Sequence, residues 1–173
     1  MKVLQLATLL LSVVVATVFA QESGHRVEVT AKVGPVIGET ITAEHRSIAR
    51  FLGVPYAKVP RRFRRSVPVD RWTTPHEALT WPPNCWQNPD HPFNAYTRSL
   101  IITEKLAEDC LNLNIWTPVD SLKGNQEEQH LRPVIVWFHG GALLLGSSAL
   151  RWYEGETLAA RADAVVVTVN YRY

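Results

Sequence analysis

The sequence predicts an α/β domain built on a mixed β-sheet, in which antiparallel strands come first and parallel strands follow. Residues 27–33 alternate apolar and polar side chains, which is the pattern of a half-buried antiparallel strand. Two later runs, residues 134–138 and 164–169, are rich in apolar and β-branched residues without alternation, which is typical of strands buried on both faces of a parallel sheet. Residues 154–163 lie between them and place apolar side chains at helical spacing, so the three segments predict a strand–helix–strand unit.

The first strand leads into a turn and two further predicted strands. A Gly-Pro pair at positions 34–35 ends the first run, and residues 36–42 then form the second strand of an antiparallel pair. Residues 48–56 are a third apolar stretch. Because this stretch contains Gly53 and Pro55, it predicts an edge strand or a strand that runs into a loop.

The middle of the chain predicts a packed loop, one strand and an exposed connection. Residues 68–92 contain six prolines and three tryptophans, too many prolines for a helix and too many aromatic rings for a free linker, so we expect a loop packed on the domain. Residues 110–116 alternate strictly and predict a strand. The apolar residues expected on one face of it are Leu111, Leu113 and Ile115. Residues 118–132 predict the exposed connection. The large aromatic residues expected in the core are Trp116, Trp137 and Phe138.

Composition is that of a globular protein of about one domain. The 173 residues are 46% apolar and 20% charged, which supplies enough apolar material for a buried core. The formal net charge is only +2, so there is no large basic field to bind nucleic acid. After residue 20, no apolar run approaches the roughly 20 residues that cross a bilayer, so we expect no membrane span. Nothing in the sequence predicts the oligomeric state.

The first 20 residues predict a secretory signal peptide. Lys2 gives a short basic start, residues 3–19 are mainly apolar, and small residues stand at the cleavage positions before Gln21. An N-terminal membrane anchor is the alternative, but the apolar run is short for a span and lacks the flanking charges of a stop-transfer segment. Secretion places Cys85 and Cys110, the two cysteines of the chain, in an oxidising compartment, so we expect them to form a disulfide. Two isolated cysteines do not make a zinc site, and we expect no metal.

A Gly-rich turn follows the first of the two buried strands. His139, Gly140, Gly141 and Ala142 stand at its carboxyl end, where open α/β sheets bind ligands. Glycines there allow consecutive backbone N–H groups to point at one spot, as a developing oxyanion requires. A tight turn without a ligand is the alternative reading of the same residues.

Four segments, in the same order along the chain, resemble type-B carboxylesterases and cholinesterases, a branch of the α/β-hydrolases. They are residues 51–57 (FLGVPYA), 108–116 (EDCLNLNIW), 136–141 (VWFHGG) and 166–172 (VVTVNYR). The likeness extends from about residue 27 to residue 173, and the EDCLxLNxW segment is the most specific signature. We therefore expect residues 27–173 to be the N-terminal part of a carboxylesterase domain.

The resemblance implies hydrolysis of small-molecule carboxylic esters by an acylated serine, with a histidine base, an acidic partner and no cofactor. It assigns the two oxyanion-hole N–H groups of this loop to Gly141 and Ala142, beside Gly140. Ala142 replaces the family's usual third glycine. Since alanine keeps its N–H and pays only about 1–2 kcal/mol in a left-handed conformation, we expect the hole to be kept.

The nucleophile elbow G-x-S-x-G does not occur in the printed sequence. Ser147, Ser148 and His139 lack the strand–turn–helix setting that activates a serine. The resemblance implies that the catalytic serine, acid and histidine lie beyond Tyr173, so no catalytic residue is assigned in this chain and we expect it to be inactive alone. The alternative is a non-catalytic, esterase-like adhesion or ligand-binding protein, with which Ala142 is also compatible.

The resemblance also bears on a basic run and on substrate choice. It implies a structural ion pair between Arg62 and Glu108, whereas residues 62–65 (Arg-Phe-Arg-Arg) read alternatively as a processing site for a secretory protease. Cholinesterases carry a tryptophan that faces the substrate's ammonium about ten residues before the second cysteine, and here that position is Leu100. Trp86, beside the first cysteine, is expected to serve packing. These residues argue against choline esters.

Overall fold

The structure is a computed structural model, and it describes residues 24–92, 101, 103, 105–122 and 131–173. The predicted signal peptide lies outside the described residues, and so do residues 123–130 of the predicted exposed connection. Within the described ranges, no helix is both long and apolar enough to cross a bilayer.

A mixed β-sheet forms the body of the protein. The strands are β1 (Arg26–Ala31), β2 (Gly34–Ala43), β3 (Arg46–Pro55), β4 (Ala57–Lys58), β5 (Val67–Pro68), β6 (His76–Glu77), β7 (Asn84–Cys85), β8 (Leu106–Ala107), β9 (Asn112–Pro118), β10 (Val134–Phe138) and β11 (Val165–Val169). The main sheet has the order β1-β2-β3-β9-β11-β10, and β6 joins it beside β2. Two short pairs, β4 with β5 and β7 with β8, lie outside this sheet.

Strand directions confirm the predicted mixed sheet of an α/β-hydrolase-type fold. The pairs from β1 through β3, β9 and β11 are all antiparallel, whereas β10 and β11 are parallel. The crossover between β10 and β11 contains a 3₁₀ turn, Arg151–Tyr153, and the helix α1, Glu156–Ala162. A second 3₁₀ turn, Val119–Leu122, follows β9. The strand–helix–strand unit expected from the sequence is thus present, with a helix slightly shorter than residues 154–163.

Helix α1 covers one face of the sheet. It ends at Asp163, which has a left-handed φ of 50° and donates its N–H to the carbonyl of Ala159. Ala159 and Ala160 are buried against Trp116 and Ile48, both fully buried. Small alanines let the helix approach the indole closely, so this contact forms the first apolar cluster of the core.

A second apolar cluster lies on the opposite face. Val36, Phe51 and Val54 are its main buried side chains, and Leu113 and Ile115 of β9 pack against it. Side chains alternate along a strand, so Ala49 and Phe51 point to this face while Ile48 and Leu52 point to the helix-covered one.

Polar residues occupy the more buried face of β9. Leu113 and Ile115 share a face as expected, but they are only partly buried, whereas Asn112, Asn114 and Trp116 are buried. Leu111 does not share that face, because it precedes the strand and packs near the two cysteines. The apolar–polar alternation therefore predicted the strand and the shared face of Leu113 and Ile115 correctly, and Leu111 is the exception.

The prediction that residues 134–138 are buried on both faces is wrong. All five residues of β10 are exposed, and Trp137 and Phe138, expected in the core, are 46% and 63% exposed. β10 is the last strand in the sheet order, with β11 as its sheet neighbour. In the part of the chain that the structure describes, the ring contacts of Trp137 and Phe138 are with Tyr153 and Tyr171 at its margin. Trp116 is fully buried, as expected.

Candidate functional site

The glycine loop, residues His139 to Gly146, leaves β10 at its carboxyl end. Because β10 and β11 are parallel, the residues that follow β11 lie beside this loop. The Tyr171 ring stacks on the His139 imidazole with 4.4 Å between ring centroids, and the Tyr173 ring meets both edge-on. The loop is therefore packed on an aromatic cluster at one edge of the sheet.

The backbone of the glycine loop occupies unusual conformations. Gly141 has a φ of 135°, and Ala142 and Leu143 are left-handed, with φ of 54° and 60°. A Cβ on Gly141 would lie 1.8 Å from the Leu145 carbonyl oxygen, whereas one on Gly140 would meet nothing within 4 Å. Gly141 is therefore required for the turn, and Ala142 adopts the strained conformation expected of a residue in a glycine position.

Two hydrogen-bonded carbonyls fix the direction of two N–H groups. The Gly140 carbonyl lies 3.0 Å from His139 Nδ1, and the Gly141 carbonyl accepts from the N–H groups of Leu144 and Leu145 at 3.0 and 3.3 Å. In a trans peptide the N–H points opposite to the carbonyl, so the N–H groups of Gly141 and Ala142 point away from these contacts. Among the described residues, neither N–H donates a hydrogen bond. The loop thus presents two successive donors that an oxygen anion can use.

His139 is a buried neutral imidazole that supports this geometry. Burial lowers the pKa of its side chain, and the bond to the Gly140 carbonyl opposes the shift only in part. The ring is therefore uncharged at neutral pH. Because a carbonyl oxygen only accepts, Nδ1 carries the proton in this contact.

Three side chains hold the two ends of the glycine loop. At its start, the Tyr171 hydroxyl donates to the His139 carbonyl. At its end, Tyr173 donates to the Gly146 carbonyl at 3.2 Å, and the Gln87 amide pairs with both the carbonyl and the N–H of Gly146, each at 2.9 Å. Burial and the neighbouring Tyr171 raise the pKa of Tyr173 to about 12, so its hydroxyl stays protonated and keeps its donor.

A buried polar layer lies beneath the loop. Its members, all at most 2% exposed, are Asn84, Asn114, Ser147, Ser148, Thr168 and Asn170. Asn114 Nδ2 donates to Ser148 Oγ at 3.2 Å and to Thr168 Oγ1 at 3.0 Å. The Asn170 side chain accepts from the Ser148 N–H at 2.8 Å, and Ser147 Oγ donates to Asn84. The two serines thus have structural hydrogen-bond partners in this layer.

A model of the carboxylesterase family matches residues 25–173. The chain belongs to the carboxylesterase family. The resemblance found in the sequence motifs is thereby confirmed.

The curated carboxylesterase relatives are longer than this chain. Acetylcholinesterase-1 of Trittame loki is 40% identical over 147 residues, which cover 78% of this chain and 23% of the relative. The medium-chain fatty acyl-CoA hydrolase precursor of Anas platyrhynchos is 36% identical over 178 residues, which cover 96% of this chain and 30% of the relative. Liver carboxylesterase 1 of Mus musculus is 37% identical over 148 residues, which cover 80% of this chain and 25% of the relative. The chain therefore spans about a quarter of the length of these relatives.

Cys85 and Cys110 of this carboxylesterase chain form a disulfide, with 5.0 Å between their Cα atoms. Both cysteines are buried. Trp86, expected to serve packing, is instead 56% exposed and lines a shallow cleft with Arg62 and Phe63. Leu100 lies outside the described residues.

The Arg62 guanidinium meets the Glu108 carboxylate with 3.0 Å between Nε and Oε1. Both side chains are largely exposed, at 69% and 47%, so we expect the pair to contribute well under about 1 kcal/mol of stability. Residues 61–65 are exposed throughout, and a turn bond from the Arg64 N–H to the Arg61 carbonyl bends the run. Cleavage there stays a sequence-based alternative.

Sequence reasoning found the glycines of this site but missed its supporting side chains. Gln87, Asn84 and Asn170 are far from the loop in sequence, and no local spacing connects them to it. One signal for the buried polar layer was available in the sequence. Asn112 and Asn114 are polar residues inside a strand, and a buried polar residue needs a hydrogen-bond partner.

Proposed function

We propose that the full-length protein hydrolyses small carboxylic esters through an acyl-serine intermediate, with the glycine loop as its oxyanion site. The observation that carries the proposal is the pair of N–H groups at Gly141 and Ala142, which donate to no group in the described part of the chain and point away from the carbonyls that hold the loop. Family membership supports the same reaction class.

The proposed role of this chain is to stabilise charge. When the nucleophile adds to the ester carbonyl, the carbonyl oxygen becomes an oxyanion that the two N–H groups bind. Because the loop is held before the reaction begins, the donors need no reorganisation as charge develops. Loss of one such donor costs about 2.7–4 kcal/mol in the activation free energy, which is why an alanine that keeps its N–H is acceptable at position 142.

The nucleophile, the acid and the histidine base are proposed to lie beyond Tyr173, and the 173 residues alone are proposed to be inactive. The test compares three samples for release of 4-nitrophenol from 4-nitrophenyl acetate: the full-length protein, residues 21–173 alone, and heat-treated controls. We expect hydrolysis by the full-length protein only, with one serine labelled by a fluorophosphonate. Hydrolysis by residues 21–173 above its heated control contradicts the inactivity proposal, and no hydrolysis by the full-length protein contradicts the enzyme proposal.

The second candidate is a non-catalytic, esterase-like adhesion or ligand-binding protein, and Ala142 in the place of the third glycine is the observation that favours it. The coding sequence after Tyr173 discriminates the two. A G-x-S-x-G elbow followed by an acid and a histidine supports the esterase, whereas an elbow without serine supports the binding protein.

Secretion and a preference for esters without choline are further parts of the proposal. The disulfide between Cys85 and Cys110 supports an oxidising compartment. Leu100, at the position where cholinesterases carry a tryptophan, supports the preference against choline esters. Comparing butyrylcholine with 4-nitrophenyl butyrate as substrates tests this choice, and equal kcat/KM values contradict it.

A further inference from the structure

Gln87 makes a two-point contact with the last residue of the glycine loop. Its side-chain Nε2 donates to the Gly146 carbonyl, and its Oε1 accepts from the Gly146 N–H, each at 2.9 Å. Two antiparallel hydrogen bonds to one residue define both its position and its rotation. Gln87 stands two residues after Cys85, so the disulfide tethers the segment from which this amide reaches the loop.

The glycine loop needs such a support because its own residues make few contacts. Leu143 and Leu144 are 67% and 61% exposed, and Ala142 is exposed as well, so packing does not hold the middle of the loop. Ala142 and Leu143 are also left-handed, a conformation that persists only where the surroundings over-determine it. The ends of the loop must therefore impose its shape.

Gly146 is connected, through one neighbouring residue each, to both carbonyls that orient the oxyanion-site donors. The preceding residue, Leu145, is buried and donates its N–H to the Gly141 carbonyl. The Gly146 backbone also packs against the His139 imidazole, where a Cβ would lie 2.4 Å from Nδ1, and that ring contacts the Gly140 carbonyl. A shift of Gly146 thus disturbs the contacts that direct the N–H groups of Ala142 and Gly141.

We propose that Gln87 is a positioning residue for ester hydrolysis. Through the nitrogen and the oxygen of its side-chain amide it holds Gly146, and it thereby keeps the Gly141 and Ala142 N–H groups directed at the oxyanion. This role rests on the proposed function. Within the described part of the chain, the hydrogen bonds of the Gln87 side chain go to Gly146 and to the Cys85 carbonyl, and none goes to Gly141 or Ala142, so we expect its loss to affect the transition state more than substrate binding.

The kinetic test substitutes Gln87→Met in the full-length protein, because methionine has a similar length and volume but makes neither bond. With 4-nitrophenyl acetate we expect kcat to fall about 10- to 100-fold, as for a small misplacement of catalytic groups, while KM changes less than about threefold. Affinity for a trifluoromethyl ketone, whose adduct carries an oxyanion, should weaken by a similar factor. The matched control is Glu108→Gln, which alters the same disulfide segment at an exposed position and should stay within about twofold of the parent in kcat.

A second measurement keeps this proposal separate from the proposed function. In amide hydrogen exchange of the same two variants, Gln87→Met should speed exchange at Leu144, Leu145 and Gly146 at least tenfold and leave β9 and β11 unchanged. If the parent protein hydrolyses no ester, the proposed function fails while exchange still tests the contact. Unchanged exchange in the loop, an exchange increase spread over the whole sheet, an unchanged kcat, or an equal loss in Glu108→Gln would each overturn the positioning role.

Discussion

Ala142 and His139 illustrate how single residues set the geometry of the proposed oxyanion site. Ala142 keeps the donor of the usual glycine while accepting a left-handed φ of 54°, which costs an alanine about 1–2 kcal/mol. His139 contributes no charge. Its neutral ring stacks on Tyr171 and donates from Nδ1 to the Gly140 carbonyl. The residue therefore contributes to the loop geometry through the proton on Nδ1.

His139 should make the free energy of unfolding fall as the pH drops below about 6.5. Burial lowers its folded-state pKa below the ordinary value of about 6.5, so below pH 6.5 the unfolded chain takes up a proton that the folded chain does not. This contribution to the free energy of unfolding is complete above pH 6.5 and is lost as the pH falls towards the folded-state pKa, by at most about 1.4 kcal/mol per pH unit. Urea unfolding of the full-length protein at pH 7.5, 6.5 and 5.5 measures it. His139→Phe, which keeps an aromatic ring but does not titrate, should show a smaller decline, and equal declines would contradict the assignment.

At the scale of the element, the conformation of the glycine loop requires a glycine at position 141 but not at position 140. Gly141→Ala should destabilise the protein by more than about 2 kcal/mol, because the new Cβ overlaps the Leu145 carbonyl and the φ of 135° is closed to alanine. Gly140→Ala adds the same methyl group where nothing lies within 4 Å, so its cost should stay below about 1 kcal/mol. Chemical denaturation of the two full-length variants compares them. Equal losses of stability would show that the loop does not have this conformation.

The elements also show what periodicity can and cannot predict. Apolar patterns located the first three strands, β9, α1 and the final strand, because each pattern reflects local geometry. The same reasoning also located β10 but was wrong about its burial, because an apolar run shows that a strand can be buried and does not show which element covers it. It could not find Gln87, whose partner Gly146 is 59 residues away, because a side chain that binds a distant backbone group leaves no pattern in the nearby sequence.

At the scale of the whole molecule, the sheet has two unlike edges. β1 at one edge mixes charged and apolar residues, whereas β10 at the other is wholly apolar and exposed. The chain also spans about a quarter of its carboxylesterase relatives. An exposed apolar edge strand combines unpaired backbone groups with unburied side chains, and both favour association with another strand.

Residues 24–173 expressed alone should therefore self-associate through β10. Val136→Lys places a charge in the middle of that edge and should shift the elution in size-exclusion chromatography with light scattering from oligomer towards monomer, at concentrations of about 10–100 μM. Thr30→Lys, on the exposed side of β1, adds the same charge at the opposite edge and should leave the oligomer unchanged, which separates a local effect from general charge repulsion. A parent polypeptide that stays monomeric over this range, or equal effects of the two lysines, would show that β10 is not the adhesive edge. The expected contrast follows from sheet order and exposure together, because within residues 24–92, 101, 103, 105–122 and 131–173 the β10 edge alone joins unpaired backbone to an uninterrupted apolar surface.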